Sequence, residues 1–206
     1  MFRSGRMNTM HRGNGARIFP VILVLIIIAI AIAALVSAGR AIFGGGEQAP
    51  TTTDTSRDSL LNTGAGYSVR MTVRGPLVAE ENFRSYQITV SSTERNMTTY
   101  QGYLESSLES SQLGNNQAAY DEFVHALDKT NLVKGQQGDS DDTRGICATG
   151  RVYEFEVLEG ANAVKRLWTS TCKGSPGTLK ANIDQVASLF QKQIPDEKKL
   201  RNKIDL

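Results

Sequence analysis

The residues of this 206-residue chain whose types and spacing bear on chemistry are few: two cysteines, two histidines and several close carboxylates. Cys147 and Cys172 are too far apart for a Cys-x-x-Cys redox motif. With His125 as the one histidine nearby, they do not complete a zinc set. The pattern predicts a single structural disulfide, of the kind found in exported domains. Closing a loop of about 25 residues adds roughly 3 kcal/mol by restricting the unfolded chain. His125 has Asp121 at i−4 and Glu122 at i−3, which predicts a surface histidine in a local ion pair. The run Asp139-Ser140-Asp141-Asp142 fails the EF-hand pattern, because Arg144 stands where the glycine belongs and Gly150 where the bidentate glutamate belongs. It reads as a solvated acidic loop. Neither a metal nor a cofactor is expected.

The carboxylate pairs are the remaining candidates. Glu80-Glu81 reads as part of a turn. Glu154 and Glu156 alternate with Tyr153, Phe155 and Val157, which predicts that they face solvent. Glycoside hydrolysis needs two carboxyls flanking a cleft, and the sequence offers no cleft for them. There is no Gly-x-Ser-x-Gly, His-Glu-x-x-His or phosphate-cradling loop. Asn96-Met97-Thr98 matches the N-glycosylation triplet, which matters only in a eukaryotic secretory pathway. No catalytic residue is nominated.

The elements that position these residues follow from hydrophobic period. Ile146–Leu158 and Ala161–Cys172 predict a hairpin turning at Glu159-Gly160. That turn pairs Phe155 with Val164, Tyr153 with Arg166 and Arg151 with Trp168. It also brings Cys147 opposite Cys172 as a non-hydrogen-bonded pair, with Cα atoms about 4.5 Å apart. Tyr67, Val69, Met71 and Val73 alternate with polar residues and predict a strand, ended by Gly75-Pro76; Tyr86, Ile88 and Val90 predict a second. Met97–Tyr103 is a blurred third, and residues 104–114 carry no clear period. Tyr120, Phe123, Val124 and Leu127 form one stripe of a helix capped by Asn115 or Asn116. Leu179, Ile183, Val186, Phe190 and Ile194 form the stripe of a last helix, begun at Ser175-Pro176 and stopped by Pro195. Residues 196–206 read as a charged, frayed tail. The predicted class is α+β: a small antiparallel sheet with two helices packed on one face, spanning 67–195.

Ahead of that domain lies an uncharged apolar run, residues 18–38. At 1.5 Å per residue it spans roughly 30 Å, the thickness of a bilayer's hydrocarbon, and predicts a transmembrane helix. Val36-Ser37-Ala38 has the small residues of a signal cleavage site, but the run is longer than the 7–15 residues usual for a signal peptide, so a retained anchor is expected. Residues 1–17 carry four arginines and no acid. Cationic flanks stay cytoplasmic, which puts the N-terminus inside and the bulk of the chain outside the plasma membrane. Ala29, Ala33 and Ser37 align on one helix face and offer a weak homodimer contact. Residues 39–66, rich in Gly, Thr, Ser and Asp, read as a flexible stalk, with Leu60 and Leu61 available to dock onto the domain.

Charge excludes one class of partner. Six of the 23 basic residues and three of the 21 acids precede residue 67, leaving a domain close to neutral. Nucleic-acid binding calls for a basic face, and none is present. The stretch Cys147-Ala-Thr-Gly-Arg-Val-Tyr153, with Cys172-Lys-Gly174, Leu189-Phe190 and Ile194-Pro195-Asp196, resembles uncharacterised single-pass membrane-anchored outer-domain proteins of small-genome bacteria. The resemblance covers about the last 50 residues and implies a bacterial, envelope-located, disulfide-bearing domain. It carries over no functional residue. The expectation is a non-enzymatic binding or structural protein of the cell envelope, its partners the bilayer and an envelope protein or glycan. The rivals are an accessory subunit of a membrane complex and a tethered hydrolase using acidic residues.

Overall fold

The computed structural model describes residues 56–135 and 142–206. The basic segment 1–17, the apolar run 18–38 with Ala29, Ala33 and Ser37, and residues 39–55 lie outside the described residues, as do Asp139 and Asp141. Among the described residues no helix is long and apolar enough to cross a membrane.

Six antiparallel strands form one sheet, in the order β4-β3-β2-β1-β5-β6. Four of them follow as a meander: β1 (Tyr67–Arg74), β2 (Arg84–Ser91), β3 (Glu94–Gln101) and β4 (Ser106–Gly114). The chain then crosses the sheet through a helix, Gln117–Lys129, and returns as the hairpin β5 (Val152–Glu159) and β6 (Asn162–Ser170). β5 pairs with β1, with Met71 opposite Phe155 and Thr72 opposite Glu154. The first strand thus ends up central.

Alternation in β1 and β2 sends Val69, Met71, Val73, Tyr86, Ile88 and Val90 to one face, where all are buried. Helices cover that face. The first, α1, is Ser56–Leu61; α2 is the crossover helix Gln117–Lys129; α3 is Ile183–Gln191; α4 is Glu197–Asn202. Tyr120, Phe123, Val124 and Leu127 of α2 pack into the core with Val186 and Phe190 of α3. Phe123 meets Phe190 edge-on at 5.2 Å. Asn116 caps α2 by accepting from Ala119 N–H at 3.0 Å.

Four features differ from the sequence reading. The hairpin turns at Gly160-Ala161, not at Glu159-Gly160, because Gly160 takes the left-handed φ of +60° that the turn requires. A bulge follows, in which Leu158 pairs with Ala163 and Val157 with Lys165, leaving Val164 unpaired. Turn and bulge together shift the register by three residues, an odd number, so the partners change face. Phe155 therefore faces Leu167 rather than Val164, Tyr153 faces Thr169, and Trp168 lies opposite Glu154.

The last helix is shorter than expected. Gly177 has φ +76°, and a Cβ there would clash with Trp168 O. Residues 175–179 instead run beside β6, with Thr178 N–H and Leu179 N–H both donating to Trp168 O at 2.9 Å. The helix starts only after Asn182, which accepts from Gln185 N–H at 3.1 Å. The end of the expected stalk and the expected frayed tail are both helical. α1 buries Leu60, α4 buries Leu200, and Ile204 beyond it is buried too. Residues 106–114, without a period in sequence, are the edge strand β4.

Candidate functional site

The helix-free faces of four strands, β2, β1, β5 and β6, carry the chemistry. Alternation that buries Val69, Met71 and Val73 sends Arg70, Thr72 and Arg74 to the other side of the sheet. There, pairing sets them in transverse rows. One row runs Thr89, Arg70, Glu156, Arg166; the next runs Gln87, Thr72, Glu154, Trp168. These residues, apart from Thr89 and Trp168, line a cleft of about 610 Å³ together with Tyr103, Phe83 and the loop around Asp142–Gly145.

The charges in it are paired. Arg166 Nε and Nη2 donate to Glu156 Oε1 at 2.9 and 2.7 Å. Arg70 Nη1 donates to the other oxygen, Glu156 Oε2, at 3.3 Å. Arg74 Nη1 lies 2.6 Å from Glu154 Oε1 and its Nη2 3.5 Å from Glu105 Oε1. Thr143 hydroxyl also donates to Glu154. Burial works against the charge on Arg74, yet its bonds to Glu154 and Glu105 raise its pKa. At the rim, Arg144 Nε and Nη2 clasp Asp142 at 2.7 and 2.5 Å. That contact pulls the Asp142 carboxyl down to about 2.

Glu154 and Glu156 are each only 8% exposed, so the expectation that they face solvent is corrected. They do point away from the core, but the arginines of neighbouring strands and the 142–147 loop close over them. The partners that make this a site, Arg70, Arg74 and Arg166, were not singled out in the sequence. The signal was present for two of them, since the alternation of Tyr67–Arg74 already set Arg70 and Arg74 on the face opposite the core.

Tyr103 forms the aromatic wall. Its ring stacks on buried Phe83 with centroids 4.1 Å apart. Its hydroxyl donates to Val78 O at 2.7 Å and accepts from Val78 N–H at 3.1 Å. Its own N–H donates to Glu80 Oε2 at 3.0 Å, which gives the predicted turn acid Glu80 a role in tying two hairpin loops together.

The cysteines are bonded: Cys147 and Cys172 form a disulfide with Cα atoms 5.6 Å apart. They are not a cross-strand pair, however. β5 begins at Val152 and β6 ends at Ser170, so the bridge joins the two segments beyond the ladder and folds over Gly150. Leu77 N–H donates to Ala148 O at 2.9 Å, which holds the bridged loop at the cleft's end. His125 is exposed on α2, away from the cleft face. Asn96-Met97-Thr98 lies inside β3, with Met97 fully buried in the core. Among the described residues no group of three His, Cys, Asp or Glu side chains is placed to hold a metal ion.

No protein-family model and no curated protein matches this chain.

Proposed function

We propose that the chain is a membrane-anchored, extracytoplasmic binding protein of the cell envelope, non-enzymatic, taking its ligand on the helix-free face of the sheet. The observation that carries the binding reading is the cleft itself, concave, of ligand size, and lined by polar side chains already held in place by one another. The Cys147–Cys172 bridge supports an oxidising compartment. The apolar run 18–38 supports the anchor, and the arginines of 1–17 support the orientation.

A tethered hydrolase is the reading that Glu154 and Glu156 favour, since both carboxylates line one cleft. Against it, arginine donors already hold both carboxylates in place. The hydroxyls of Thr72 and Thr143 beside them are bonded as well, to Gln87 and Glu154. An accessory-subunit role would use the exposed apolar tip of Leu77, Val78 and Leu104 as a protein contact.

Labelling of intact cells with a membrane-impermeant maleimide tests the placement. Reaction only after reduction is expected, with both cysteines outside and bridged. Reaction only after lysis, without reduction, would put the domain in the cytoplasm. A stoichiometric membrane protein co-purifying in mild detergent would favour the subunit. Turnover of wall material that Glu154→Gln abolishes without unfolding would establish the hydrolase.

A further inference from the structure

The walls of the cleft say what class of ligand it takes. The charged side chains lining it balance, four guanidiniums against four carboxylates: Glu156 with Arg70 and Arg166, Arg74 with Glu154 and Glu105, and Arg144 with Asp142. A strongly charged ligand would have to displace one member of a pair and leave the other uncompensated in a partly buried site, which is costly. A neutral ligand rich in hydroxyls meets no such penalty. Each carboxylate has about four acceptor positions and each guanidinium five donors; Glu156 accepts three bonds and Arg70 gives one of them, so this pair keeps an acceptor position and donors for a ligand. A hydroxyl donates to one and accepts from the other. Gln87 and Thr72, joined at 3.2 Å in the next row, add an amide and a hydroxyl to the same surface.

Tyr103 supplies the second half of such a site. It is 44% exposed, yet it is held by the Phe83 stack, by both bonds to Val78 and by Glu80. A half-exposed ring held by its stack on Phe83 and by its hydroxyl on Val78 has already lost its rotamer freedom, so little ordering cost remains when a ligand covers it. A flat apolar face beside an array of planar polar side chains matches the two sides of a sugar ring, one of C–H groups and one of hydroxyls.

We propose that the cleft binds a neutral saccharide, which stacks on Tyr103 and shares its hydroxyls between the Arg70–Glu156–Arg166 row and the Gln87–Thr72 row. This rests on the binding reading above and names its ligand class. The test is calorimetric titration of the full chain, held in a non-glycosidic detergent, with three neutral probes: N-acetylglucosamine tetramer, cellotetraose and maltotetraose. A charged tetrapeptide is the fourth probe. Saturable binding of at least one saccharide is expected. Tyr103→Ala and Arg70→Gln should each weaken it at least about tenfold, a loss of roughly 1.4 kcal/mol. If Tyr103→Ala lowers the melting temperature, Arg70→Gln carries the test. Saccharide binding that neither variant weakens would overturn the proposal. So would saturable binding of the peptide alone; if Arg70→Gln weakened that binding, the cleft would remain a binding site with a different ligand. Failure of all four probes in folded protein would also overturn the saccharide assignment, whereas anchoring and orientation are decided by the maleimide experiment.

Discussion

Glu156 and Arg166 lie directly opposite each other on β5 and β6, and two N–H groups of the arginine converge on a single carboxylate oxygen, Oε1. The second oxygen is left for Arg70 on the other neighbouring strand, so one carboxylate ties three strands together.

Glu156→Gln removes the charge that two guanidinium groups share. Glu156 is buried and the arginines are about one-third exposed, so part of the penalty is screened. The expected loss is about 1–3 kcal/mol in urea unfolding, with the m-value unchanged. Replacing Arg70, which makes one longer contact, should cost less than replacing Glu156.

Breaking the Cys147–Cys172 bridge should lower stability by about 3 kcal/mol, since the closed loop spans 25 residues. The paired variant Cys147→Ser/Cys172→Ser and the reduced native chain should melt at similar temperatures, both below the oxidised protein. A reduced protein as stable as the oxidised one would show that the ladder of β5 and β6 holds this end alone.

The segment before β1 is part of the folded unit. Leu60 is 1% exposed, and Arg57 Nε and Nη2 donate to Asp128 Oδ1 and Oδ2 at 2.8 Å each, fastening α1 to α2. Leu60→Ala should cost about 2–4 kcal/mol. A chain trimmed to begin at residue 67 should be less stable than one beginning at residue 56 by at least that much, measured as a shift in denaturant midpoint.

Burial pushes the Tyr86 phenol up to about 12, and Tyr120 is raised by burial too. In the unfolded chain a tyrosine ionises near 10. Because the folded value is the higher one, the contribution of Tyr86 is full below about pH 10 and is lost as pH rises toward 12. Circular dichroism and phenolate absorbance should therefore change together in an alkaline titration, and Tyr86→Phe should flatten the loss of stability across that window.

Much of the fold was legible in local pattern. Strict alternation marked β1 and β2, a 3.6-residue stripe marked α2, and the pair Asn115-Asn116 marked its start, the structure choosing Asn116 as the cap. The disulfide required no geometry, because two cysteines allow one pairing. Only the tertiary structure decided the rest. β4 has no apolar face, so its strand conformation comes from its ladder with β3. α1 and α4 are too short to stand alone, and Leu60, Leu200 and Ile204 have a place to go only because the sheet is already there. The register of β5 and β6 turned on one glycine and one bulge. The cleft needed the pairing of β1 with β5, which brings Arg70 to Glu156 across 86 residues of sequence. Period is a local property of the chain and can be read along it. Adjacency of distant strands is set by the closure of the whole sheet over its core, and that is where the arginines found their carboxylates.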